Sequence, residues 1–230
     1  MSVFPGGVAL SDLEVYDWEA EDGCRGGSPH LHTASSEGYV VIGGTGAVQT
    51  LSVAGFAEHP LAPGDVLWFT PGIVHRLIND GDLRLLVVMS NAGLPEAGDA
   101  VLTFPSHVLD DPDAYAAAAT LPDGAERAEA ARARRDLALR GFAALRDGGP
   151  DAVSELHRQA VKLVQPKLAG WQRLWRSTVL AETERTARRL ALLASGDERA
   201  LADAQVSRVA STSTERVHGM CGMLRTWEWS

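Results

Sequence analysis

Four residues in the first third of the chain have the types and spacing of a metal site: His30, His32, Glu37 and His75. His30 and His32 are two apart, so on a strand both imidazoles leave the same face, roughly 7 Å apart along the chain. Glu37 follows a polar turn, Thr33-Ala34-Ser35-Ser36, which lets the next strand return beside the first and bring its carboxylate to that face. His75 follows a second turn, Thr70-Pro71-Gly72. Three neutral imidazole nitrogens and one carboxylate oxygen converging inside a small barrel suit one borderline divalent metal per chain: Fe, Mn, Ni, Co, Cu or Zn. Histidine ligands must be neutral, so affinity is expected to fall as pH drops through about 6.5. The remaining histidines, His59, His107, His157 and His218, have no partners at ligand spacing and read as structural or surface groups. Cys24 and Cys221 form neither a CxxC pair nor a disulfide framework and read as free thiols.

Strands must carry these four groups. Residues 8–90 are a series of short apolar or alternating runs punctuated by Gly, Pro, Asn and Asp, the signature of an all-β antiparallel sandwich or barrel. The pattern predicts strands over residues 12–18, 37–42, 47–53, 65–69, 75–78 and 83–89, with Gly43-Gly44-Thr45-Gly46 and Asn79-Asp80-Gly81-Asp82 as tight hairpin turns. Alternation puts Tyr39 and Val41 on the face of Glu37, which makes Tyr39 the candidate catalytic side chain, presenting its hydroxyl to a bound ligand. Val66 or Leu67, Trp68, Phe69, Leu85 and Met89 are candidates for an apolar pocket wall.

Read together, these residues resemble the two motifs of the cupin superfamily. The first motif is Gly, five residues, HxH, three or four residues, Glu, six residues, Gly. Here His30-Leu31-His32, four residues, Glu37, six residues and Gly44 match it, with Cys24 at the place of the leading Gly. The second is Gly, five residues, PxG, two residues, His, three residues, Asn. Gly64, Thr70-Pro71-Gly72, His75 and Asn79 match it, with Thr70 replacing the first Pro. The resemblance covers residues 8–95 and implies a jelly-roll-like cupin barrel with His30, His32, Glu37 and His75 as metal ligands. It also implies chemistry on small oxygen-bearing molecules, dioxygenation or isomerisation of sugars and ketoacids. A three-His, one-Glu set leaves two neighbouring positions on an octahedral metal, which places dioxygenation ahead of isomerisation. The alternative is a metal-assisted small-molecule binding or sensor protein.

After Pro105 the composition turns to Ala, Leu, Arg and Glu at helical spacing, so the barrel is followed by an α-helical C-terminal region. The expected division is a barrel over 1–105, a linker over 106–122 and a helical extension over 123–230 that packs on the barrel or on a second subunit. Asp123 and Glu126 suggest a helix start, Gly148-Gly149-Pro150 a stop, and Asp151 a second start. Pro166 should kink that second helix. Leu168, Trp171, Leu174, Trp175 and Thr178 then form one packing stripe before Gly196, a fourth helix is expected over 197–209, and the tail 220–229 is either a strand or a docked coil.

Charge narrows the functions. The chain carries a formal net charge of -9. Residues 1–110 hold only Arg25, Arg76 and Arg84 against fourteen acids, which argues against a nucleic-acid surface there. The helical half interleaves its bases with acids and lacks a recognisable helix-turn-helix, so no nucleic-acid partner is expected. No apolar run is long enough for a membrane span and the start lacks a signal peptide, so a cytoplasmic location and no membrane partner are expected. Val40 and Ile42 on the outer face, and the unpaired helical stripes, point to a homodimer acting on a small-molecule substrate.

Overall fold

The structure, a computed structural model, describes residues 4–209 and 215–227. Two long strands dominate it, β3 (Glu37–Ser52) and β6 (Val74–Met89), and they pair antiparallel from Glu37↔Met89 to Leu51↔Val74. β6 also pairs with β1 (Ala9–Val15) and, through His30↔His75, with β2 (His30–His32). β4 (Gly55–Leu61) and β5 (Val66–Phe69) pair with β3, and β7 (Ala100–Leu102) pairs with β2. The tail returns as β8 (Val217–His218) and β9 (Gly222–Thr226), with β9 hydrogen-bonded to β1. The result is the expected all-β antiparallel barrel domain, followed by a long helical region.

Two predicted hairpins are absent. The runs at 43–46 and 79–82 lie opposite each other in the β3–β6 ladder, and both strands pass through them with shifts of register. Each run bends its strand instead of reversing it. The approach there is so close that a Cβ on Gly46 would stand 2.1 Å from the Ile78 carbonyl oxygen, and one on Gly44 (φ +71) 2.1 Å from that of Asp82. Asn79 completes the bulge: its side-chain oxygen accepts from the Gly81 and Leu83 amides, and its NH₂ donates to the Val15 carbonyl. Bulge and hairpin demand the same left-handed and tightly packed backbone, which is why the same residues suit both.

The stretch 106–122 contains α1 (Ser106–Leu109) and α2 (Pro112–Ala119), the latter capped by the Asp111 carboxylate with Pro112 in its first turn. α3 (Arg127–Val164) starts later than the capping pattern suggested, because Asp123 spends its carboxylate on the Arg127 side chain. It is broken at Gly149 (φ 65, ψ -153), before Pro150, where the sequence placed a stop and restart. A 3-10 turn at Gln165–Lys167 contains Pro166 and leads into α4 (Leu168–Trp175). A π-turn (Arg176–Leu180) and α5 (Ala181–Ala194) follow. The fourth helix expected over 197–209 is only a 3-10 turn, Glu198–Leu201. Residues 202–209 bury no apolar face that would hold a longer one.

Two cores result. The inner one fills the barrel with Leu13, Tyr39, Val48, Leu77, Leu85 and their neighbours. The outer one joins Leu31, Leu102 and Phe104 to Ala138, Phe142 and Leu156 of α3 and to Trp171 of α4. α3 sits so close that a Cβ on Gly141 would be 1.9 Å from the Thr103 carbonyl oxygen, and the Thr103 hydroxyl donates to the Ala138 carbonyl. Buried Arg135 adds donors to the Trp18 and Glu19 carbonyls. No helix among the described residues is long and apolar enough to cross a membrane.

Candidate metal centre

β2 supplies His30 and His32 on one face and Leu31 on the other, so a three-residue strand serves the site and the outer core at once. The His30↔His75 register lays His75 beside them, and Glu37 enters from the first position of β3. The turn ahead of His75 is held from two sides: the Gly72 amide donates to the His32 carbonyl at 2.9 Å, and the imidazole of His157, on α3, donates to the Gly72 carbonyl at 2.8 Å. The ligand atoms of His30, His32, Glu37 and His75 all lie within 4.8 Å of one another, and all four residues are buried. The four predicted ligand residues are therefore together.

Their hydrogen bonds fix the direction of the lone pairs. Nδ1 of His30 faces the Ser28 carbonyl at 2.9 Å and Nδ1 of His75 the Ile73 carbonyl at 3.2 Å. Nδ1 of His32 faces the Asp99 carboxylate at 2.7 Å. Each of these oxygens only accepts, so each neutral ring carries its proton on Nδ1 and leaves Nε2 bare. The bare nitrogens converge: His30 Nε2 and His75 Nε2 are 3.2 Å apart, and Glu37 Oε2 lies 2.9 Å from His75 Nε2 and 3.3 Å from His32 Nε2. Glu37 Oε2 is buried and receives no hydrogen bond of proper geometry. Lone pairs so gathered repel unless a cation lies among them, so the donor set fits one borderline divalent metal ion.

A proton is the metal's competitor. Burial opposes charge on His32, but its hydrogen bond to Asp99 and the nearby Glu37 carboxylate outweigh that and raise it to about 9. His30 goes the other way: burial, and then the charges of His75 and His32, hold it well below its ordinary value. Burial would raise Glu37, yet His75 and His32 hold it well below the usual carboxylate range. In the metal-free site, a protonated His32 therefore faces an ionised Glu37.

His30, His32 and Glu37 border a cavity of about 230 Å³, while His75 is fully buried behind them against the Phe69 ring. Leu13, Val87, Met89 and Leu224 are among its apolar walls. Tyr39 is 0% exposed and does not border the cavity. Its hydroxyl, beside Glu37, has no partner of hydrogen-bonding geometry, and burial followed by the Glu37 charge pushes its phenol well up. Trp68 is not a wall either. At 72% exposed it lies outside with Val66, because alternation along β5 turns Leu67 and Phe69 inward. Leu85 is buried in the inner core. Arg76 is buried but paired with Asp22, and Arg84 lies near Asp12 and Glu14, so neither reaches the cavity.

Sequence reading missed Asp99, fully buried just before β7. One of its oxygens accepts from His32 and the other from the Ser35 amide at 2.9 Å. It also missed the tail residues Met220, Cys221, Leu224 and Thr226, which border the cavity. The buried thiol near the site is Cys221, whereas Cys24 lies in a half-buried loop outside it.

Residues 17–89 match the family model described as Cupin domain. No curated protein matches the chain. Among solved structures, the Streptomyces nucleoside dehydratase Pac13 is 18% identical with a TM-score of 0.33, the overlap covering 44% of this chain and 70% of that one. A cupin protein from Bacteroides fragilis is 21% identical with a TM-score of 0.28, covering 37% of this chain and 65% of that one. The capsular polysaccharide assembling protein CapF from Staphylococcus aureus is 18% identical with a TM-score of 0.31, covering 40% of this chain and 25% of that one.

Proposed function

We propose that the chain is a metal-dependent enzyme acting on a small oxygen-bearing organic molecule, with His30, His32, Glu37 and His75 as ligands of one divalent transition metal. The observation that carries this reading is the convergence of three Nε2 atoms on the buried Glu37 Oε2 at the edge of an apolar cavity. A purely structural site would be closed, whereas this one borders open space on the side of His30, His32 and Glu37. The metal would supply Lewis acidity or support for reaction with dioxygen. The protein's part is to fix the ligands, through Asp99 and the carbonyls of Ser28 and Ile73, and to exclude water with apolar walls. Tyr39, fully buried beside Glu37, serves as support for that carboxylate. Room on one side of the ligand set favours dioxygenation, in which substrate and dioxygen are held together, over isomerisation.

Elemental analysis of wild type and of His75→Ala tests the ligand set: about one metal per chain is expected in the first and a large loss in the second, and equal content refutes it. Anaerobic loading with Fe(II), followed by oxygen-uptake measurements across catechols, flavonols, β-diketones and hydroxy acids, tests the chemistry. Isomerisation of a sugar or ketoacid under nitrogen without oxygen uptake would replace the dioxygenase reading. Ligand binding without any turnover would make the protein a sensor. We also propose a homodimer through the outer face of β3 and β5, where Ile42, Val66 and Trp68 are 50%, 60% and 72% exposed. Sedimentation of Trp68→Glu against wild type tests that, and a monomeric wild type refutes it.

A further inference from the structure

We propose that β9, the strand at the far end of the chain, is the specificity wall of the metal cavity and selects a compact, uncharged molecule. This rests on the metal reading above. Such a substrate would have an apolar body, with adjacent oxygens facing the metal and a hydrogen-bonding group at its opposite end. The segment lies outside the matched cupin region, which ends at residue 89.

Register places the wall. Ser11 pairs with Thr226 and Leu13 with Leu224 across the β1–β9 ladder, and all four residues border the cavity. Met220 and Cys221 continue the same wall. The hairpin is anchored rather than hinged. Arg216 and Arg225 converge on the buried Asp12 carboxylate at 2.9 and 2.7 Å, and Arg134 of α3 donates to the Gly219 carbonyl at 2.6 Å. The Tyr16 amide donates to the Cys221 carbonyl at 3.2 Å and the Ser28 amide to that of Met220 at 2.9 Å. Gly27 lets the strand approach, since a Cβ there would stand 2.5 Å from Cys221 Cα.

Charge and size then define the ligand. No Lys or Arg lines the cavity among the described residues. Glu37 and Glu96 border it and Asp99 accepts from His32, so three carboxylates lie on the cavity or beside the site that would hold one divalent ion. That balance leaves no positive charge to attract an anionic substrate. At about 230 Å³ the cavity is below the range of drug-sized sites, which suits a molecule built on a single ring. The hydroxyl-bearing side chains of Ser11 and Thr226, paired across the β1–β9 ladder, are uncharged polar groups on the cavity's border.

The test uses the full chain loaded with Co(II), whose visible bands before probe is added report occupancy. Two probes of matched size, neutral 2-hydroxy-1-phenylethanone and anionic mandelate, are titrated calorimetrically. The neutral probe is expected to bind at least about tenfold more tightly, a difference of about 1.4 kcal/mol. Thr226→Lys, at an exposed position, should shift the ratio toward mandelate by about fivefold through the added charge. Leu224→Trp should abolish binding of both while the Co(II) bands persist. Mandelate binding as tightly as the neutral probe overturns the ligand class, and unchanged affinities in both variants overturn the wall. Failure of Co(II) to bind counts against the metal reading alone. The wall is then judged by the melting-temperature shifts that the two probes give the metal-free chain, where the same ranking is expected and equal shifts overturn it.

Discussion

The two faces of β2 belong to two differently built cores. On one side Leu31 packs against Leu102, Phe142 and Leu156, an apolar contact between barrel and helices that asks nothing of any ligand. On the other side His30 and His32 look into a centre of lone pairs and a carboxylate that is complete only with a cation. The outer core is stabilised by burial, the inner centre by charge balance. The difference teaches that the fold and the site need not fail together. The helices brace the strand from behind, through Leu31 and through the His157 contact to Gly72, while under the proposed function a metal would decide the state of the front.

The largest expected effect comes from breaking the outer core. Phe142→Ala should cost about 3–5 kcal/mol of stability. Denaturant melts should show a similar loss in the metal-loaded and metal-free protein, and a loss confined to the metal-loaded form would mean that the two cores are one.

pH acts on the inner centre through His32. His32 is raised to about 9 from an ordinary 6.5, so its protonation stabilises the metal-free fold fully below about 6.5 and that stability is lost as pH rises through 9. The loss is on the order of 3 kcal/mol across that window. Metal competes with the same proton, so metal affinity should change with the opposite sign, falling as pH drops below about 9, by up to about tenfold per unit. The ordinary histidine value would have started that fall near 6.5; Asp99 and Glu37 move it upward. Thermal melts and metal titrations between pH 6 and 9.5 check both signs, and a metal-free stability that rises over this window would refute the assignment.

The smallest effect sharpens the boundary between the two regions. Asp99→Asn removes the charge that fixes the His32 tautomer but leaves Leu31 and its neighbours in place. Metal affinity should weaken by about 10–100-fold. The melting temperature of the metal-free protein at pH 9.5, where His32 is largely neutral, should move little by comparison.

The sequence alone carried the candidate ligand set, because three of its members are close in the chain and the fourth, His75, falls in the second motif that the sequence resembles. Strand alternation two residues apart puts His30 and His32 on one side, a polar turn returns Glu37, and Pro71-Gly72 delivers His75. Helical spacing likewise marked Trp171, Leu174 and Thr178, although Leu168 and Trp175 of the same stripe are exposed, and the Gly148-Gly149-Pro150 run marked the break in α3. Tertiary structure decided whatever depended on a partner distant in the chain. The residues at 43–46 and 79–82 suit hairpins and paired bulges equally, and only the β3–β6 register chose between them. Asp99 has no local pattern that ties it to His32, 67 residues earlier. Tyr39 shares the face of Glu37 as alternation requires, yet whether its hydroxyl meets a cavity or a packed core depends on what the opposite strands bring. The tail, ambiguous by composition, became a strand because β1 had a free edge to pair with, and that pairing made it a wall of the site. Local backbone preference acts over a few residues, whereas register and burial are set by contacts that exist only once the chain has closed on itself.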